Sequence, residues 1–128
     1  MAAAPDLLAP DGSEIRVLVQ VPRGSMVHCT LQPGQVTRAV QHRTVEEVWL
    51  CVGGSGQVWR QVRGDAQRER PEEVVNVEPG VALTIPLGVA FQFRSNGPRP
   101  FEVVIATMPP WPGDDEAVPV DGPWEATR

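Results

Sequence analysis

Few side chains in this chain of 128 residues can move a proton or hold an ion near neutral pH. Histidine occurs only as His28 and His42, and cysteine only as Cys29 and Cys51. All eleven basic residues are arginine, and tyrosine is absent. Without lysine there is no Schiff-base chemistry, and without tyrosine no phenolic acid or base. Acid–base work therefore falls on a histidine, a thiol, or a carboxylate whose pKa burial has raised. His42 and Glu47 lie close together in the chain and form the candidate couple. His42 would be the base or acid, and Glu47 would orient it, since a carboxylate fixes the imidazole tautomer and raises its basicity. The bland alternative is a His–Glu hydrogen bond that only satisfies two polar groups left from an older site.

Glycines frame this couple. The first stretch runs Gly34-x5-Val40-x-His42-x4-Glu47-x6-Gly54, and the second Gly80-x5-Pro86-x4-Phe91-x3-Ser95. Together they resemble the two signatures of the cupin family, G-x5-H-x-H-x3–4-E-x6-G and G-x5-P-x4-H-x3-N. The resemblance spans about residues 26 to 108. It implies an all-β fold, the double-stranded β-helix or jelly-roll barrel. It also carries the family's four metal ligands onto Val40, His42, Glu47 and Phe91, so two of the four are hydrocarbon. A catalytic metal site usually offers three protein ligands and an open position. The resemblance therefore implies either no cofactor or a weakly bound divalent metal (Zn, Fe, Mn or Ni) on His42 and Glu47, with Cys51 or His28 as substitute ligands. Glu46 competes with Glu47 for the inward position, because neighbours on a strand face opposite sides; the x6 spacing to Gly54 favours Glu47.

In such a barrel, Val40, Trp49, Phe91 and Phe93 would form an apolar wall. His42 and Glu47 would supply polar groups, joined by Cys51 and by Arg38 as an anion contact. An apolar pocket with a few convergent polar groups is the usual form of a small-molecule site. The expected activity is acid–base processing of a small molecule by isomerisation, cyclisation, dehydration or hydrolysis. The alternatives are a non-catalytic sugar- or metabolite-binding module and a metal-dependent enzyme with improvised ligands. Family habit adds a homodimer.

The elements that must position these residues are short strands. Ile15–Val21, Met26–Leu31, Val48–Val52, Gln57–Val62, Val74–Val77, Val81–Ile85, Ala90–Arg94 and Phe101–Met108 are β-rich runs separated by turn residues. With 12 Gly and 14 Pro there is little room for long helices, and regularly spaced short strands predict a sandwich or barrel. The charged run from Arg63 to Glu73 reads as an exposed loop. The segment from Pro109 to Arg128, with Trp111, Trp124 and the acidic run Asp114-Asp115-Glu116, cannot form a helix or a central strand. Its tryptophans predict that it packs on the barrel. One domain is expected over 1–128, with the barrel at about 14–108.

The net charge of −5 and the absence of a basic cluster argue against nucleic acid as a partner. No apolar run approaches the roughly 20 residues of a membrane span, and no secretion signal opens the chain. A cytoplasmic protein with free, buried thiols is the expectation.

Overall fold

Strand β5 (Glu46–Gly53) shows the rule that builds this molecule. Glu47, Trp49 and Cys51 are buried, whereas Glu46, Val48, Leu50 and Val52 are exposed, a strict period of two. In the computed structural model, which describes residues 3–62 and 72–127 (only the backbone of Asp114), this alternation produces two facing antiparallel sheets. The remaining strands are β1 (Leu7–Leu8), β2 (Glu14–Val21), β3 (Gly24–Leu31), β4 (Val40–His42), β6 (Gly56–Val62), β7 (Glu72–Val77), β8 (Ala82–Ile85), β9 (Val89–Ser95), β10 (Phe101–Met108) and β11 (Ala117–Pro119). One sheet has the order β1-β2-β3-β10-β5-β8, and the other β11-β4-β9-β6-β7. The fold is thus the all-β double-stranded β-helix. No described helix is long and apolar enough to cross a membrane.

The core lies between the sheets. Val27, Cys29, Leu31, Trp49, Phe101, Val103 and Ile105 face Val40, Val58, Phe91 and Phe93 across it. Each large apolar side chain buried there contributes on the order of 1.5–3 kcal/mol. Trp49 meets Phe91 and Phe93 edge-on, at 5.7 and 5.1 Å between ring centroids, a favoured aromatic geometry.

Gly54 has φ +65°, and a Cβ there would lie 2.1 Å from the Pro100 carbonyl oxygen. Both the turn and the close backbone approach demand glycine. Gly34 and Gly80 also have positive φ, but open space surrounds them.

The strands read from sequence are present, mostly a residue or two longer. Two more were not foreseen: β1 and β11, of two and three residues, too short to carry a periodic signal; the strand that carries Val40 and His42 is present as β4 but does not extend back to Arg38. Glu72 and Glu73, read as the end of a charged loop, open β7 and pair with β6; the rest of that loop lies outside the described residues. The C-terminal segment forms a single 3-10 turn, Asp114–Glu116, and then β11 along the edge of its sheet. An edge is where Pro119 is tolerated. The segment is pinned across the outside of β9. Gln92 Nε2 donates to the carbonyls of Thr37 and Trp124, and its Oε1 accepts from the Trp124 amide. Trp124 lies under the Arg94 guanidinium, 4.1 Å from the ring centre.

Candidate functional site

A cavity with a free volume of about 60 Å³ opens between the sheets. At about 10–15 Å³ for one water-sized probe, it holds roughly five such groups. Its wall includes Val40, Trp49, Phe91, Phe93, Val27 and Ile105, and its polar groups are Asp11, Ser13, Cys29, His42, Glu47 and Thr107.

His42 closes β4, a strand held between β9 (Val40↔Phe91) and β11 (His42↔Ala117). Its ring packs edge-on against Phe91 at 5.1 Å and Trp111 at 5.0 Å. Nδ1 is buried and has no hydrogen-bond partner. Burial pushes the imidazole pKa down to about 4, partly opposed by the Glu116 carboxylate, so His42 is neutral at pH 7. It also borders an outer groove with Gln41, Arg43, Leu87 and Val118, and so stands between that groove and the interior.

Glu47 points inward and Glu46 outward, as the x6 spacing favoured. The Trp49 indole, two residues along the same face, donates to Glu47 Oε1 at 2.9 Å. Burial pushes the carboxyl up to about 7; the Trp49 bond pulls against this, while the Asp11 and Glu116 charges add to it. Both protonation states of Glu47 are thus accessible near neutral pH, the condition that suits proton exchange.

Several expectations need correction. No hydrogen bond joins His42 and Glu47, because Trp49 takes the carboxylate and aromatic rings enclose the imidazole. Arg38 is exposed and precedes β4. It lies in a separate surface groove with Leu8 and Gly12, donates to the Pro10 carbonyl, and is not among the cavity residues. Cys51 is buried but lies further along β5, with its thiol on the Gly53 carbonyl at 3.5 Å, and does not line the cavity. His28 faces the other side of its sheet and pairs with Glu102 at 3.2 Å, so neither it nor Cys51 can substitute as a ligand.

Five cavity groups, Asp11, Ser13, Cys29, Thr107 and Trp111, escaped the sequence reading. Asp11 lines the wall on an N-terminal turn, its Oδ1 accepting from the Ser13 amide and hydroxyl. Burial raises its pKa, against these bonds and the nearby Arg38 charge. Cys29 lines the wall too, and burial raises its thiol pKa. Thr107 bonds the Ser25 hydroxyl, and Trp111 covers His42. None had a local spacing signal; alternation on β3 and β10 alone placed Cys29 and Thr107 inward. Further along the same C-terminal segment, Glu116 ties the chain to the turn between β4 and β5. The Glu116 carboxylate accepts from the Thr44 amide and hydroxyl and from the Val45 amide. Burial alone would raise its pKa, but these bonds outweigh burial and lower it.

The metal expected of this fold does not fit these side chains. Of the four family positions, Val40 and Phe91 present only hydrocarbon to the cavity, both 2 % exposed. Among the described residues no three His, Cys, Asp or Glu side chains are grouped to hold an ion.

No family model matches the sequence, and no curated protein does either. Solved structures do match. An uncharacterized protein with a double-stranded β-helix domain from Klebsiella pneumoniae aligns over 76 % of this chain and 72 % of its own, at 20 % identity and TM-score 0.61. The cupin domain of Cnp3 from Schizosaccharomyces pombe aligns over 76 % and 64 %, at 9 % identity and TM-score 0.63. KdgF from Halomonas sp. aligns over 76 % and 80 %, at 18 % identity and TM-score 0.60. The architecture is therefore the cupin fold, as the two glycine-framed signatures implied.

Proposed function

We propose that this protein takes a small, uncharged, mostly apolar organic molecule between its sheets and exchanges a proton with it through Glu47. His42 serves as a neutral hydrogen-bonding group at the entrance. The observation that carries this reading is a buried carboxyl on the wall of an apolar cavity, fixed by one indole N–H. Its pKa near 7 supports the role, since a general acid–base group works best near the ambient pH. His42, at about 4, is too weak a base to compete, so the roles expected from sequence are exchanged. Among the described residues no arginine lines the cavity, and the chain has no lysine, which disfavours an anionic ligand. The simplest reaction of this kind is isomerisation: Glu47 removes a proton beside a carbonyl and returns it at another atom. Buried, unpaired Cys29 and Cys51 suit work in the reducing cytoplasm.

The test uses 2-butanone, whose five heavy atoms match the free volume at about one per water-sized probe. Proton NMR in D₂O follows exchange of the hydrogens beside its carbonyl. Exchange above buffer that Glu47→Gln abolishes, with binding retained, is the expected result. Equal exchange in Glu47→Gln removes Glu47 from the chemistry. A melting shift without exchange in the wild type favours the non-catalytic binding module.

A further inference from the structure

Among the described residues two buried polar atoms lack a hydrogen-bond partner. One is Arg60 Nε, on a guanidinium that bonds Thr84 and Glu73 through its other nitrogens. The other is Nδ1 of His42, a residue only 7 % exposed. A buried polar atom without a partner calls for a specific cause, and His42 lines the cavity, where a ligand can supply one. His42 ends β4 in one sheet, and Glu47 lies at the start of β5 in the other. The turn over 43–45 therefore crosses between the sheets, and both side chains stand at the same end of the cavity that they line. Thr107, the register partner of Glu47 on β10, adds a hydroxyl at that end. The next row along the same sheet, Val27–Ile105–Trp49, is apolar.

We propose that the molecule taken between His42 and Glu47 is a small, unphosphorylated α-hydroxy ketone or α-hydroxy aldehyde, the two being interconverted through an enediol. This rests on Glu47 as the proton-exchanging group and makes His42 a second catalytic residue. Glu47 removes the hydrogen from the hydroxyl-bearing carbon, and the electron pair of that C–H bond forms the C=C bond of the enediol. The carbonyl electron pair moves onto its oxygen, which takes the hydrogen of His42 Nδ1. The imidazole regains a hydrogen from the neighbouring hydroxyl as that oxygen becomes the new carbonyl. Glu47 then returns its proton to the other carbon. The product is an isomer, so no oxidant, reductant or further reactant enters. A carboxylate base beside a neutral imidazole suits enediol chemistry, and His42 is neutral at pH 7. Size and charge set the limits of the class. The free volume takes roughly five heavy atoms. A phosphate finds no cation there, because no arginine lines the described cavity and the chain has no lysine.

Hydroxyacetone is the probe, with 2-butanone as its isostere, in which a methyl replaces the hydroxyl. Proton NMR in D₂O follows both. Wild type should convert hydroxyacetone to lactaldehyde, and Glu47→Gln should not. His42→Gln can still hydrogen-bond but cannot pass a hydrogen on, so kcat should fall at least about 100-fold while KM changes less than about threefold. Exchange of 2-butanone without lactaldehyde from hydroxyacetone overturns this substrate class and leaves the Glu47 reading intact. Exchange of neither ketone removes Glu47 from the chemistry and this proposal with it. Undiminished lactaldehyde formation in folded His42→Gln, or a loss confined to KM, overturns the catalytic role of His42. Should His42→Gln fail to fold, ring ¹⁵N NMR of the wild type decides, with glycolamide as an inert isostere of the substrate. The His42 Nδ1 resonance should move on adding glycolamide while those of His28 stay, and an unmoved Nδ1 overturns the proposal.

Discussion

Glu47 and His42 should pull the stability of this protein in opposite directions with pH. Glu47 moves from an ordinary 4.5 to about 7 on folding, so between those values the folded chain keeps a proton that the unfolded chain has lost. Its contribution is complete below pH about 4.5 and is lost as pH rises through about 7, by about 3 kcal/mol in total. His42 moves from 6.5 down to about 4. Its contribution is complete above pH about 6.5 and is lost as pH falls through about 4, again by about 3 kcal/mol. Between roughly pH 4.5 and 6.5 the two slopes cancel in the wild type, and removing either group exposes the other. The assay is urea unfolding followed by far-UV circular dichroism at half-unit steps from pH 4 to 8, for wild type, Glu47→Gln and His42→Gln. Wild-type stability minus that of Glu47→Gln should fall by about 3 kcal/mol from pH 4.5 to 7. At about 2 kcal/mol per molar urea this is near 1.5 M in midpoint. Wild type minus His42→Gln should rise by the same amount from pH 4 to 6.5. Constant costs of the substitutions drop out of these slopes. A Glu47→Gln profile parallel to wild type within about 0.5 kcal/mol, the scale of a neutral substitution, refutes a Glu47 carboxyl raised by burial.

Two further perturbations test the glycine frame and the hydrocarbon at Val40 and Phe91. Gly54→Ala combines positive φ with a Cβ 2.1 Å from the Pro100 oxygen and should cost more than about 3 kcal/mol, against about 1 for Gly80→Ala, which meets open space; equal losses in thermal melts would remove the close-approach argument. Restoring imidazoles with the double variant Val40→His and Phe91→His should give four inward donors with His42 and Glu47. That variant should retain near-stoichiometric Zn by elemental analysis while wild type does not, and a metal-free double variant would show that these positions are not the ligand positions of the fold.

The frame was legible in the sequence because it depends on local rules. Period-two alternation and the distance to Gly54 placed Glu47 inside and Glu46 outside, and turn glycines marked the ends of strands. What escaped depends on segments that fold back from far along the chain. Trp111 reaches His42 across 69 positions, and Glu116 in the same segment bonds Thr44 across 72, contacts that no spacing announces. Asp11 reaches the cavity from an N-terminal turn. The His42–Glu47 couple was a local inference that failed for a local reason: Trp49, on the same face of β5, is a nearer donor to that carboxylate. Arg38 failed because β4 begins only at Val40, so no straight strand runs through Arg38, Val40 and His42 to put all three on one face.

Val40 and Phe91 are register partners on adjacent strands, so the character of the two positions is physically coupled. In a ligand set at these positions, a cation would hold Glu47 ionised, because opposite charge favours the charged form. With hydrocarbon at both positions, the carboxylate keeps one indole donor and loses its strongest reason to be charged, and burial then governs its pKa. A single change to hydrocarbon would leave the other imidazole buried with an unmet polar atom, a cost of about 1–3 kcal/mol. Paired changes remove both polar groups and form an apolar contact between strands, so the two sites are coupled energetically. On the proposed reading, the hydrocarbon pair at Val40 and Phe91 is what leaves this carboxyl available to exchange a proton.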